Sequence, residues 1–240
     1  MGNLEVRKLI VRGGAMLLKG IKTLRVWMML LALALLLTLT APMALTINFD
    51  EFTVHDISEA IKAQENGDYE TALKIWRSLA DQGQPFSQLA QYSLALMYQN
   101  GDGVERDIKE AARLYRLAAD QGFDWAQYNL GLLYEHGEGV FQDLNEAVRL
   151  YRLAAMQGHA TAQHNLAVMY GKGEGVFQNL VKAYMWFALA AVNGGENASE
   201  ARDWAKQQML SDSSLGPAAV KRAEKAARRC YDSNYQDCGS

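Results

Sequence analysis

Apolar and small side chains in the middle of the chain recur at helical spacing in two successive runs, and the whole pattern returns every 36 residues. The clearest copy runs from Ala126 to Gly158, AQYNLGLLYEHGEGVFQDLNEAVRLYRLAAMQG, with others beginning at Ala90 and Ala162. In its first half Ala126, Leu130, Gly131, Leu133 and Tyr134 share one stripe, which predicts a helix stopping at Gly137. Gly139 then lets the chain turn, and Val140 tucks an apolar side chain beneath it. Asp143 predicts the start of a second helix, its carboxylate capping free N–H groups while Glu146 completes a capping box, and Asp107 and Glu110 repeat the arrangement. Ala147, Leu150, Tyr151, Ala154 and Ala155 share a face of that helix, and Gly158 ends it. Each unit is thus a predicted antiparallel helical hairpin, and the chain as a whole is predicted all-α, a solenoid of stacked hairpins.

Side-chain size sets the expected packing. Small residues recur in phase at Ala90, Ala126 and Ala162, at Ala111, Ala147 and Ala183, and at Ala118, Ala154 and Ala190. Large ones recur between them: Tyr98, Tyr134 and Tyr170 in the first helix, Tyr115, Tyr151 and Phe187 in the second. Close helix crossings at the small positions then let the rings fill the joints.

The motifs AQYNLGLLY, GEGV, EAVRLYRLAA and the closing QG resemble the Sel-one-like repeat family, relatives of the tetratricopeptide repeats with a longer loop inside each hairpin. The resemblance covers about Asp56 to Trp204. It implies a right-handed superhelix of paired helices and an adaptor or scaffold role, in bacteria often in exported proteins with envelope or host partners.

Taken in order, residues 1–25 form a basic N-terminal region, with Arg7, Lys8, Arg12, Lys19, Lys22 and Arg25 against the single acid Glu5. Residues 26–47 follow as an uncharged signal peptide or membrane anchor, about long enough to cross a bilayer core of roughly 20 residues. Cleavage after Ala44 and retention as an anchor both remain open, since Pro42 is a poor residue at the third position before the cut. Either outcome sends the repeats out of the cytoplasm, giving a periplasmic, secreted or inner-membrane-anchored protein. Met16 offers a shorter conventional start. The solenoid is expected over 54–210, with a degenerate unit at about 54–83, full units at 90–125, 126–161 and 162–197, and a terminal helix at 198–210. The spacer from Gly83 to Ala90 is three residues longer than elsewhere and contains Pro85 and Phe86, which predicts a local bend. Residues 211–240 carry a cap helix opened by Gly216-Pro217 and a cysteine-bounded tail. The basic face of that helix, with Lys221, Arg222, Lys225, Arg228 and Arg229, reads as a solvated cap rather than a contact for an acidic partner.

From residue 45 on, 18 basic and 26 acidic side chains leave a net charge of −8, which argues against a nucleic-acid partner. Cys230 and Cys238 have the wrong spacing for a redox pair and no companions for a metal site, so in an exported chain they are expected to form a disulfide. The tail also resembles the cysteine-bounded end of exported bacterial members of the repeat family. No serine lies in a Gly-x-Ser-x-Gly elbow and no Ser-x-x-Lys is present. Gly171 to Gly175 follows a helix and lacks the Lys-Ser/Thr ending of a phosphate loop. His159 and His164 are five apart, off the spacing that puts two ligands on one helical face. No catalytic residue, cofactor or metal is therefore expected.

Two functional classes follow. The favoured one is a non-catalytic scaffold binding a protein or peptide. The alternative is a β-lactam-recognising or hydrolysing protein, because a cysteine-rich branch of the family is associated with that activity; its members carry a cysteine pair in each repeat, whereas Ala90 to Gly194 has none. For the scaffold, the candidate surface is the concave face, lined in related tetratricopeptide arrays by the first helices. Trp125 and two columns point off the packing stripe there: Tyr92, Tyr128 and His164, then Leu96, Leu132 and Val168. These columns either bind the partner or pack between units.

Overall fold

A computed structural model describes residues 51–81 and 86–238 of the chain, with side chains from residue 55 on. Among the described residues there are ten helices and no strands. The basic and apolar N-terminal regions and the Gly83–Pro85 part of the long spacer lie outside them.

Two compact units divide between Ile75 and Trp76. In the first, α1 (Glu51–Glu65) buries Ala60 and Ala63 and is followed by a turn at Gly67. The next helix, α2 (Tyr69–Asp81), starts where Asp68 accepts the Thr71 N–H at 3.2 Å, and it runs across the division.

The second unit continues through α3 (Ser87–Asn100), α4 (Ile108–Asp120), α5 (Asp124–His136), α6 (Leu144–Ala155), α7 (Ala160–Lys172) and α8 (Leu180–Val192). Each of these helices packs on the next, so three hairpins stack in sequence order. The helices α9 (Ala198–Ser211) and α10 (Gly216–Asp232) follow, and α10 lies against both α8 and α9. The alanines expected at close crossings are buried, among them Ala126, Ala147, Ala154 and Ala183. So are the second-helix rings of Trp76, Tyr115, Tyr151 and Phe187, each worth roughly 1.5–3 kcal/mol when withdrawn from water.

The second helices begin as expected in one respect and differ in another. Asp143 Oδ1 accepts the N–H groups of Asn145 and Glu146 at 3.0 and 3.1 Å, and Asp107 does the same for Lys109 and Glu110. The return half of the capping box is replaced: Glu146 takes a two-pronged bond from Arg149, and Glu110 one from Arg113. A guanidinium three residues on offers two charge-assisted bonds where a cap N–H offers one. Asp143→Ala should therefore cost about 1 kcal/mol, a fall of roughly 2–4 °C in melting temperature read by circular dichroism.

Three sets of contacts hold the hairpins together. Within a hairpin, the amide after the second helix reaches back to the first: Gln121 to Gln91 at 2.6 Å, Gln157 to Gln127 at 2.8 Å and Asn193 to Gln163 at 2.9 Å. Between hairpins, an arginine of the second helix donates to a tyrosine of the next first helix, Arg77 to Tyr98 at 3.3 Å and Arg152 to Tyr170 at 2.7 Å, with Arg116 and Tyr134 paired likewise. Third, the second and third Gly-x-Gly loops lie on the start of the preceding second helix. A Cβ on Gly139 would sit 2.6 Å from the Ile108 carbonyl oxygen, and one on Gly175 would sit 2.4 Å from that of Leu144. Only glycine allows that approach, and both residues also hold positive φ.

At the far end, Cys230 and Cys238 form a disulfide. The tail it closes brings Tyr235 onto Gly158 and into a 2.7 Å hydrogen bond from Asn193 Nδ2, so the cap reaches back onto the last two hairpins. The five basic side chains of α10 are exposed.

Candidate functional site

The residues singled out on the first helices are not equally accessible. Tyr92, Trp125, Tyr128, Leu132, His164 and Val168 are half-buried, and Leu96 is buried at 8% exposure. The rings touch the second helix of their own hairpin and the start of the next. Tyr92 lies 5.8 Å from Tyr115 and 5.1 Å from Phe123, while Tyr128 lies 5.9 Å from Tyr151 and 4.8 Å from the imidazole of His159. Trp125 meets His159 edge-on at 4.3 Å, and His164 meets Phe187 at 5.1 Å. Leu132, Val168 and Tyr128 pack against the core below them. The columns thus pack both within and between hairpins and, Leu96 apart, show a remaining surface at the same time.

Asparagines stitch the rings together. Asn129 donates to the Tyr115 hydroxyl at 3.2 Å and also serves Tyr92; Asn165, one unit on, serves Tyr128 and Tyr151. The Tyr115 hydroxyl donates to Gln99 at 2.6 Å, and the Tyr151 hydroxyl to Glu135 at 2.5 Å. Burial pushes the Tyr92, Tyr128 and Tyr151 phenols up, with the carboxylates of Asp124 and Glu135 adding to it. All three therefore stay neutral, as hydrogen-bonding groups rather than bases.

His159 has a helix-capping role that the sequence pattern did not reveal. It ends the turn before α7 and caps that helix, its Nδ1 accepting the Ala162 N–H at 3.2 Å. That bond places the imidazole proton on Nε2, which is buried without a hydrogen-bond partner. Burial holds its pKa down to about 4. Its position before a helix, where Phe123 stands in the previous unit, was the available signal.

Two further aromatic residues were also missed. Phe141 and Phe177 occupy one position in successive loops and are 97% and 98% exposed, where the first hairpin has Glu105. Nothing in the structure covers them.

Among the described residues no group of three or more His, Cys, Asp or Glu is placed to hold a metal ion, and no helix is long and apolar enough to cross a membrane. A 650 Å³ groove beside the last loop is lined by Tyr170, Val176, Phe177 and Lys182 among others, with no nucleophile and base placed together.

Stacked hairpins with shared aromatic joints define the class of protein first: an α-solenoid of helical repeats. The Sel1 repeat family matches residues 88–123, 126–159 and 160–195, so the chain carries three Sel1 repeats. Such repeats generally mediate protein–protein interactions and are generally non-catalytic. The fold is similar to that of a crystal structure of a Sel1 repeat protein from Oxalobacter formigenes, 29% identical, with TM-score 0.59 over 74% of this chain and 77% of that one. It is also similar to a protective antigen present in uropathogenic Escherichia coli strains, 26% identical, with TM-score 0.60 over 74% of this chain and 40% of that one. A curated relative, an exopolysaccharide production negative regulator of Rhizobium leguminosarum bv. viciae, is 40% identical over 63 residues. That match spans 26% of this chain and 22% of the regulator, so only about a fifth of its length is shared.

Proposed function

We propose that this chain is a non-catalytic scaffold exported from the cytoplasm, binding a protein or peptide segment along the first-helix face, the concave side of the stack. The observation carrying this reading is the row of half-buried rings and aliphatics from Tyr92 through Tyr128 and Leu132 to Val168, joined by Asn129 and Asn165. Residues that need a hydrophobic neighbour on one side and retain surface on the other suit a partner laid across several units.

Export is supported by the basic and then apolar order of residues 1–47 and by the Cys230–Cys238 disulfide, a bond that persists in oxidising compartments. A role in envelope assembly, regulation or host interaction is supported by the exopolysaccharide regulator and the protective antigen among the relatives.

A photo-crosslinking residue at Tyr128 should yield a defined adduct in cells, while the same probe at the exposed Arg149 should not. Tyr128→Ala with Leu132→Ser should lower the melting temperature, since both side chains also pack against the core, and should abolish capture by a probe at Trp125 at a temperature where circular dichroism shows the variant still folded. Equal labelling at Tyr128 and Arg149 would end the reading. Fractionation and mass spectrometry with and without reductant test export separately, since two free thiols in the cellular protein would contradict it.

A further inference from the structure

The starts of the second helices change charge along the stack. In the first two full hairpins each start carries a capping aspartate, a glutamate and an arginine: Asp107, Glu110 and Arg113, then Asp143, Glu146 and Arg149. The glutamate and arginine pair at 2.7 Å in both. The same three positions of the last hairpin hold Asn179, Lys182 and Met185, so two carboxylates and a guanidinium give way to a single ammonium. Capping does not require the change, since Asn179 still accepts the Lys182 N–H at 2.9 Å.

Here α10 lies against α8, and a pocket of 550 Å³ opens beside them. Asn179, Lys182 and Met185 all line it, together with Arg222 and Arg229, two turns apart on one face of α10. Leu180, Val181 and Leu215 make its aliphatic part. Among the described residues no carboxylate lies within ion-pair reach of Lys182 or Arg222, while Asp237 holds Arg229 at 3.2 Å. The one acid in the lining, Asp212, is taken by Ser214, accepting from its N–H at 2.7 Å and its hydroxyl at 2.6 Å. Cations that share a pocket repel each other, and a glutamate at position 182, as in both earlier hairpins, would have removed that cost.

We propose that this pocket binds an acidic peptide segment of a partner, a carboxylate side chain of the segment being taken by Lys182 and Arg222 while its apolar side chains lie on Leu215 and Phe177. Cations without a counter-ion, backed by aliphatic side chains, are complementary to an anion carried on a partly apolar body. Asn179 and Lys182 also line the 650 Å³ groove beside the last loop, where Phe177 is 98% exposed, so the pocket continues into that groove. An extended segment fills that length and a small free anion does not. The site is built on the last second helix and the cap, apart from the first-helix columns, so the two readings stand or fall separately. With a net charge of −8 from residue 45 on, the rest of the chain disfavours acidic segments, which leaves selection to the pocket.

Unlabelled decapeptides with blocked ends, sharing leucines in an alanine background and differing only in carrying glutamates or glutamines, would be titrated against the full chain by calorimetry. The glutamate peptide should bind at least tenfold tighter than the glutamine peptide. Lys182→Glu, which restores the residue of the earlier hairpins, should lose about tenfold or more of that affinity with the melting temperature unchanged or raised. Arg222→Gln, at an exposed position, should lose about tenfold as well, and Lys225→Gln, on α10 but outside the pocket, should lose none. The proposal is overturned if Lys182→Glu binds the glutamate peptide as the native protein does, which would place binding elsewhere, as on the basic residues 1–25. It is equally overturned if Lys225→Gln costs as much as Arg222→Gln, which would mean diffuse charge attraction. Displacement of the peptide by an equal concentration of inorganic phosphate would also overturn it, the pocket then being a site for small anions.

Discussion

Gly175→Ala should destabilise the repeat array by about 3–4 kcal/mol, measured by urea unfolding. Two costs add: roughly 1–2 kcal/mol for holding an alanine at positive φ, and roughly 1–3 kcal/mol for moving the loop off the Leu144 carbonyl that the new Cβ would meet at 2.4 Å. Gly122 separates the two, since it also holds positive φ, 90°, but a Cβ there meets nothing within 4 Å. Gly122→Ala should thus show the conformational cost alone. If the two alanine variants unfold at the same urea concentration, the loop does not depend on its seat against the preceding helix.

Acid should weaken the fold through His159. Its folded pKa of about 4 lies below the ordinary imidazole value of 6.5, so the unfolded chain binds this proton more readily than the folded one. The stabilisation is complete above pH 6.5, declines as pH falls, and is gone below about pH 4, a total of about 3 kcal/mol. At pH 5 roughly 2 kcal/mol should be missing. His164, lowered by burial, acts with the same sign, while the raised carboxyl of Asp124 acts in the opposite direction. His159→Asn isolates the effect, keeping a capping side chain and removing the titration. The native protein should lose about 2 kcal/mol more than this variant between pH 7.5 and pH 5. Parallel pH profiles would show that protonation of His159 is accommodated without loss of the α7 cap.

Much of this architecture is legible because helix periodicity and side-chain size are local properties copied from unit to unit. The phase of Ala126 and Ala147 and the ring at Tyr151 follow from spacing, and the structure buries all three. The cap at Asp143 is equally local. What spacing cannot resolve is competition for a partner, as at Glu146, where Arg149 takes the carboxylate from the cap. His159 was illegible for a related reason: its role depends on Trp125 and Tyr128, which reach it from the preceding hairpin. The candidate columns occupy the middle ground. Helical phase places Tyr128 and Leu132 off the packing stripe, but how deeply a neighbouring unit covers them depends on the stacking angle, which no single unit encodes.

The seams carry a consequence for how such a chain changes over generations. Across the full units the amide pairs and arginine–tyrosine bridges recur at fixed offsets, 30 residues for Gln157 and Gln127 and 18 for Arg152 and Tyr170, whereas Arg77 and Tyr98, across the longer spacer, are 21 apart. Recombination that inserts or removes one 36-codon block therefore regenerates complete seams on both sides, whereas a block of 35 or 37 codons would misalign two at once. Gene duplication can lengthen this protein without inventing a contact. Which block is copied matters: a second copy of Ala126–Thr161 would double Glu135 and the Tyr128 ring, while a copy of Ala162–Asn197 would extend the stack and add no acid at the position of Glu135.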